Sequence, residues 1–315
     1  MNVYGTEQIR NVVLLGHGGA GKTTVAEALA LLTGVTKRMG KVPDGNTISD
    51  YDKEEIKRQF SISTTLIPLE YEGEDGPIKI NLLDTPGFFD FVGEVEEAIS
   101  VADAAIIVVN CKAGIEPGTE KAWEMCEKYK LPRLIFVTNM DDDHASYREL
   151  VVKLETRFGR KIAPFQLPIR ENEKFVGFVN VVKMAGRRFT ELSDYVECEI
   201  PEYVEKNLTI ARDALIEAVA ETNEEYMERY FLGEEFTQEE ISTALREHVI
   251  EGEIVPVMMG SGINCQGFKV LLQSIDKYFP SPDHFECIGV DVSTGERFTA
   301  KYNDDVSLSA RVFKT

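Results

Sequence analysis

The chain is poor in the residues that usually mark a disulfide framework or a metal centre. It has five cysteines and four histidines in 315 residues. The cysteines are an odd set with no Cys-x-x-Cys pair, and the histidines show no clustered spacing. A disulfide-stapled fold and a histidine-held metal site are therefore disfavoured. We expect reduced thiols and a cytoplasmic protein.

Long apolar runs are missing as well. The longest, such as AAIIVV at 104–109, have the length of a strand, whereas a membrane-spanning helix needs about 20 apolar residues. The first residues, MNVYGTEQIRNVVLL, contain no basic region followed by a small-residue cleavage site. The sequence thus predicts no membrane association and no secretory signal.

Positive charge is scarce too. Lysine and arginine total 34 against 54 aspartates and glutamates, so the net charge is −20. Such a surface repels phosphate backbones, which disfavours broad nucleic-acid binding but does not exclude docking onto a ribonucleoprotein through a local basic patch of this protein. With 43% hydrophobic residues, the chain can bury a large core, enough for two domains or one domain with an insertion.

What the sequence does contain is an alternation of apolar strands and amphipathic helices. Such alternation predicts an α/β fold with a mostly parallel sheet covered on both faces. The predicted strands lie at 11–15, 60–71, 77–83, 104–110 and 133–138. The predicted helices lie at 24–32, 92–100, 118–129 and 145–158, and residues 34–60 are predicted to be a long loop with some helix.

This alternation is interrupted after Gly159. Short strands are predicted over 165–190, followed by helical stretches at 202–231 and 238–250, the second opening with the capping-box pair Thr237 and Glu240. A strand at 254–259 and a helix at 267–279 then resume the first pattern. We therefore predict a first domain from 1–159 and 251–287, an inserted α+β subdomain at 160–250, and the start of a β-rich domain at 288–315, with RFTAKY and VSLSARVFK as its strands.

The strongest chemical signal is GHGGAGKT at 16–23, placed between a predicted strand and a helix. It matches the phosphate-binding loop GxxxxGK[ST], in which glycines let backbone N–H groups face phosphate oxygens. Lys22 would reach the β- and γ-phosphates and Thr23 would bind Mg²⁺. The predicted phosphate-binding residues are Gly16, His17, Gly18, Gly19, Ala20, Gly21, Lys22, Thr23 and Thr24.

A dinucleotide-binding loop is the alternative, because the same residues contain GxGxxG. That interpretation needs an acidic residue about 20 positions later, where this chain has the basic segment TKRMGK at 36–41. It also leaves Lys22 and Thr23 unexplained.

Three further motifs complete a nucleotide site. In LLDTPG at 82–87, Asp84 would hold Mg²⁺ and the Gly87 N–H would meet the γ-phosphate; the bland alternative is a simple turn. In TNMD at 138–141, the Asp141 carboxylate can accept both N1–H and N2–H of guanine, with Thr138 and Asn139 beside it; the alternative is a solvated acidic loop at 141–143. Ser261 and Gly262 of GSG would face guanine O6 with their backbone groups.

The order GHGGAGKT, KRQFSIS, DTPGFFDF, TNMD, GSG resembles the translational GTPases, most closely elongation factor G. The resemblance extends through 33–63 and 102–123 and covers the whole chain, which corresponds to about the first half of such a factor. It implies a P-loop G domain that binds GTP and GDP with Mg²⁺, and a ribosome-associated monomer whose second domain is a β-barrel. It further implies that 160–250 contacts the stalk protein of the large ribosomal subunit.

Several positions depart from that family. Gly19 stands at an aspartate, Ser61 at the switch threonine that binds Mg²⁺, and Phe88 at the histidine that positions the attacking water. Thr138 and Asn139 replace asparagine and lysine of the guanine motif. The resemblance implies catalytic roles for Lys22, Ser61, Gly87 and the position of Phe88, with Thr23, Ser61 and Asp84 as metal ligands. We expect a diverged paralogue with slow hydrolysis, and Phe89 as a better core candidate than Phe88.

Four functions stay open at this point. They are a GTPase of translocation or ribosome recycling, a nucleotide-gated ribosome-binding factor that hardly hydrolyses GTP, a ribosome-protection factor, and a small-molecule P-loop kinase. The kinase would need a substrate pocket and a lid, and the sequence offers no segment for either.

Overall fold

The apolar strands assemble as the α/β pattern predicts. The computed structural model of the protein describes residues 2–300, 302 and 310–314. In chain order its strands are β1 (Ile9–Leu15), β2 (Thr65–Gly73), β3 (Gly76–Asp84), β4 (Ala104–Asn110), β5 (Arg133–Thr138), β6 (Ile162–Pro164), β7 (Gln166–Glu171), β8 (Lys174–Asn180), β9 (Ala185–Phe189), β10 (Tyr195–Cys198), β11 (Val255–Met259), β12 (Cys287–Val290) and β13 (Arg297–Ala300).

The helices are interleaved with these strands. They are α1 (Lys22–Leu32), α2 (Lys53–Arg58), α3 (Val92–Ile99), α4 (Pro117–Tyr129), α5 (Tyr147–Phe158), α6 (Glu202–Ala220), α7 (Glu224–Leu232), α8 (Gln238–Glu251) and α9 (Phe268–Tyr278). Among the described residues, no helix is both long and apolar enough to cross a lipid bilayer.

Within the described part of the chain, seven strands form the central sheet in the order β2-β3-β1-β4-β5-β11-β6. Every neighbouring pair is parallel except β2 with β3. Helices α1 and α9 pack on one face of the sheet, and α3, α4 and α5 pack on the other. Since the parallel strands all end at one edge, the loops after β1, β3, β5 and β11 meet there.

The segment predicted as an insertion contains its own four-stranded antiparallel sheet, β10-β9-β8-β7. Apolar residues of that sheet pack against α6 and α8 in a separate core. The first strand after Gly159, β6, belongs instead to the central sheet, where it pairs with β11. The predicted capping box is confirmed, since the Thr237 side chain accepts the N–H of Glu240.

Three details differ from the sequence-based prediction. The helix predicted over 202–231 is broken into α6 and α7, because the Asn223 side chain accepts the N–H of Tyr226 and starts a new helix. The strand predicted from residue 60 begins only at Thr65, so Ser61 lies in an irregular segment. After α9, β12 and β13 pair antiparallel. Of the strand predicted over 306–314, residues 306–309 lie outside the described residues, and the described residues 310–314 form no strand.

Candidate functional site

The loop between β1 and α1 is shaped by glycine. Gly16, Gly19 and Gly21 have φ values of +139°, +85° and +101°, a region that other residues rarely adopt. A side chain at Gly16 would also be excluded sterically, because its Cβ would lie 2.4 Å from the carbonyl oxygen of Val108. Gly21 is the N-cap residue, immediately before α1. The loop therefore leads directly into a helix amino terminus, the arrangement that binds phosphate.

Lys22 lies under this loop. Its Nζ donates to the carbonyl oxygens of Gly16 and His17, both at 3.0 Å. Only 6% of the residue is exposed, and burial lowers its pKa to about 8, against the opposing effect of nearby carboxylates such as Asp84. The loop thus positions the Lys22 ammonium group to bind an anion. The His17 ring itself contacts α4, where its Nδ1 accepts the N–H of Gly118 at 3.2 Å.

The three predicted metal ligands are brought together. The Thr23 hydroxyl donates to Asp84 Oδ2 at 2.9 Å and lies 3.3 Å from Ser61 Oγ. Asp84 is 1% exposed, and its Oδ1 has no hydrogen-bond partner among the described residues. Burial raises its pKa to about 6. A buried carboxylate with a free oxygen beside two hydroxyls is suited to a hard cation.

Asp50 is a fourth member of this cluster that the sequence did not reveal. Its Oδ1 accepts the Ser61 hydroxyl at 2.7 Å, while its Oδ2 is buried without a partner among the described residues. Burial raises the pKa of this carboxyl as well. The oxygen-only donor set of Thr23, Ser61, Asp50 and Asp84 fits Mg²⁺, which prefers carboxylate and hydroxyl oxygen to nitrogen or sulfur.

Two further buried glutamates hold the segment that carries Ser61. Glu55 Oε1 accepts the N–H groups of Ile62 and Ser63 at 2.9 and 3.1 Å. Glu27 on α1 accepts the N–H groups of Gly40 and Ile48. In the sequence both residues look like ordinary solvated acids, because only the fold shows that their carboxylates are covered.

The Phe88 ring packs against the phosphate loop. A Cβ built on Gly18 would be 3.1 Å from the Cζ of the Phe88 ring, and the ring centroid is 4.7 Å from that of Phe60. The turn before it is equally close, since a Cβ on Gly87 would be 2.4 Å from Lys22 Nζ. The expectation that Phe89 is the better core candidate is wrong: Phe89 is 53% exposed and Phe88 42%. The reason is that Phe89 opens a turn of 3₁₀ helix at the surface.

The predicted base motif lies at the same edge of the sheet. Thr138, at the end of β5, donates from its hydroxyl to the Ala20 carbonyl at 2.7 Å, which ties the motif to the phosphate loop. Asp141 Oδ1 accepts the Ser261 hydroxyl at 2.5 Å. Asn139 is exposed, with φ +58°.

The last loop packs on the start of α1. A Cβ on Gly262 would lie 2.4 Å from Thr24 Cγ2, so a side chain at this position would force Thr24 to move. The structure therefore brings the phosphate loop, the turn after Asp84, the TNMD segment and the GSG loop to one edge of one sheet.

A glycine-rich loop that leads into a helix, a buried Thr-Asp cluster and the Asp141 carboxylate at one edge of a mostly parallel sheet are the features of a GTP-binding G domain. Residues 7–281 match the family described as "Elongation factor Tu GTP binding domain", and the chain belongs to that family. It is a GTP-binding domain of the translation-factor type.

A solved structure is also similar to this chain. The crystal structure of ttk003000868 from Thermus thermophilus shares 35% sequence identity with this chain, with a TM-score of 0.82 over 93% of this chain. The match covers 45% of that protein, so this chain spans just under half of its length.

Proposed function

We propose that the chain is the G domain of a cytoplasmic, monomeric translation factor related to elongation factor G, a diverged paralogue that couples GTP binding and hydrolysis to an action on the ribosome. The family match and the motif order support this proposal. The observation that carries this proposal is the cluster of Thr23, Ser61 and Asp84 next to the phosphate loop. These side chains supply the oxygen ligands that a Mg²⁺-nucleotide needs.

Each part of the nucleotide has residues for it. The N–H groups at the start of α1 and the Lys22 ammonium would bind the β- and γ-phosphates. Thr23, Ser61 and Asp84, supported by Asp50, would hold Mg²⁺, which when bound neutralises charge on the phosphates. At the other end, Asp141 would accept the two guanine N–H groups, which adenine lacks.

Hydrolysis is expected to be slow. An attacking water needs a hydrogen-bond partner, and Phe88 has neither donor nor acceptor. Its ring lies over Gly18, on the loop that would surround the γ-phosphate. This observation favours a second candidate function, a nucleotide-gated ribosome-binding or ribosome-protection factor. In such a factor GTP binding, more than GTP hydrolysis, would control the interaction with the ribosome.

A protein partner is also proposed for the inserted segment. Helices α6, α7 and α8 are rich in acidic residues, and α7 ends in Phe231 and Leu232, whose exposed fractions are 79% and 75%. An exposed apolar pair in an acidic setting suits a protein partner better than a nucleic acid. The proposed partner is the stalk protein of the large ribosomal subunit.

Calorimetry with GTP, GDP and ATP in the presence and absence of Mg²⁺ tests the proposed function. We expect GTP and GDP to bind better than ATP, because adenine would leave the Asp141 carboxylate without partners, at a cost of about 1–3 kcal/mol. Removal of Mg²⁺ should weaken both guanine nucleotides. Equal affinity for ATP and GTP would contradict the assignment. To separate the two candidate functions, ribosome co-sedimentation can be compared with GTP and with a non-hydrolysable analogue.

A further inference from the structure

One side chain from the inserted sheet reaches the loop that would recognise the base. Arg170 lies in β7, and its Nη2 donates to the carbonyl oxygens of Met140 and Ala145 at 2.8 and 3.2 Å. These two carbonyls flank the stretch that begins with Asp141. A charged, planar guanidinium with two such bonds holds a loop more firmly than neutral hydrogen bonds do.

Arg170 is itself held in place. Its Nη1 donates to the Glu173 carbonyl at 2.7 Å. The Tyr203 hydroxyl of α6 accepts the Arg170 backbone N–H at 2.8 Å and donates to its carbonyl oxygen at 3.0 Å. The guanidinium therefore extends from a backbone fixed on both sides, and its position depends on β7 and α6.

The other supports of the base loop do not bring a charged donor to its backbone carbonyls. The Asp141 side chain accepts the Ser261 hydroxyl at 2.5 Å, and the Asp142 side chain accepts the His144 N–H at 2.9 Å. Asn139 adopts a left-handed conformation, and the Met140 N–H donates to the Gly260 carbonyl at a long 3.3 Å. The ion pair of Lys112 with Asp142 is at the surface, where its lysine side chain is 54% exposed. Exposed pairs of this kind contribute little. The Arg170 bonds are thus the principal charged restraint on the backbone around Asp141.

We propose that Arg170 is a positioning residue for guanine recognition: it fixes the loop so that the Asp141 carboxylate meets the base edge. Discrimination of the base then depends on a residue of the inserted segment, about 30 positions after the motif that contacts the base. This inference rests on the proposed guanine-nucleotide function. It concerns the base end of the site only, because Arg170 contacts no residue of the phosphate loop or the metal cluster.

Inosine diphosphate gives the inference a direct probe, since it lacks the exocyclic amine that Asp141 would bind in GDP. The ratio of GDP to inosine diphosphate affinity therefore reports the Asp141 contact itself. We expect Arg170→Ala to lower GDP affinity about tenfold and to move that ratio towards one. Arg170→Lys, which keeps one donor group, should recover part of both effects.

Arg212→Ala is the matched control. Arg212 is also a half-buried arginine of the inserted segment, and it donates to the carbonyls of Val181 and Val182, away from the base loop. We expect this variant to keep the wild-type ratio even where its melting temperature falls. An unchanged ratio in Arg170→Ala, or an equal loss of the ratio in Arg212→Ala, would overturn the inference.

The same titrations separate this inference from the proposed function. If the wild-type protein binds GDP no better than ADP, the guanine assignment itself fails. If it prefers GDP and Arg170→Ala leaves the GDP-to-inosine-diphosphate ratio unchanged, only the role of Arg170 is refuted.

Discussion

The ring of Phe88 lies against the backbone of Gly18, so close that a Cβ at Gly18 would be 3.1 Å from the ring. The two residues come from different motifs, one from the phosphate loop and one from the turn after β3. Because position 18 has no side chain, the Phe88 ring can approach the backbone of the phosphate loop this closely.

The first prediction concerns catalysis. Replacing Phe88 with histidine would supply a hydrogen-bonding group where the attacking water must be oriented, an effect worth about 10²–10⁴-fold in rate. We expect Phe88→His to accelerate single-turnover GTP hydrolysis in the full-length protein, measured with and without ribosomes. GTP affinity should stay near the wild-type value, because Lys22, Thr23 and Asp84 are unchanged.

Phe89→His provides the control, since Phe89 is more exposed than Phe88 and should not influence the rate. Should the wild-type protein already hydrolyse GTP rapidly on ribosomes, and Phe88→His leave the rate unchanged, the assigned role of Phe88 is wrong.

The second prediction concerns packing. Gly18→Ala should lower the stability of the wild-type protein by less than the about 1–3 kcal/mol of an overpacked core, because the 42% exposed Phe88 ring has to shift by only a few tenths of an ångström. In a Phe88→Ala background the same substitution should cost much less, since the ring that it meets is gone. Urea denaturation of the four proteins in this double-mutant cycle measures the coupling. An additive cycle would mean that the two residues are not in contact.

The third prediction concerns pH. Burial raises the pKa of Asp84 from 3.8 to about 6, so the folded protein binds this proton more tightly than the unfolded chain. Ionised Asp84 therefore lowers stability increasingly as pH rises from about 4 to about 6. At pH 7.5, without Mg²⁺ or nucleotide, we expect Asp84→Asn to be more stable than the wild type by up to about 3 kcal/mol. The difference should shrink towards zero at pH 4.

Asp103→Asn serves as the control, because burial raises the pKa of Asp103 to about 6 as well, in a place remote from the phosphate loop. Adding Mg²⁺ and GDP should stabilise the wild type and Asp103→Asn but not Asp84→Asn. If Mg²⁺-GDP stabilises all three proteins equally, Asp84 is not a metal ligand.

The fourth prediction concerns the proposed stalk partner. Changing both Phe231 and Leu232 to serine should abolish capture of purified stalk protein in a pull-down, because these exposed side chains would supply the apolar contact. Val152→Ser is the matched control, since Val152 is 53% exposed on α5. GDP affinity should be the same in both variants. Undiminished capture by the double variant would remove α7 from the interface.

The sheet class and the contiguous motifs could be predicted from the amino-acid sequence alone. The glycine pattern of the phosphate loop, Asp84 at the end of an apolar strand and Asp141 after another are local features, since each motif depends on backbone geometry within a few residues. Parallel strands end at one edge, so the convergence of these loops followed from the β–α alternation. The capping box at Thr237 is local in the same sense.

Which charged side chains are covered, and which distant residues meet, became visible only in the folded chain. Asp50, Glu27 and Glu55 look like surface acids until the fold buries them around the segment that carries Ser61. Arg170 reaches the base loop only because the four-stranded antiparallel sheet lies against β11, and the exposure of Phe89 depends on a surface turn. Burial and contact are properties of pairs of segments far apart in the chain, and residue type and spacing along one segment do not specify them.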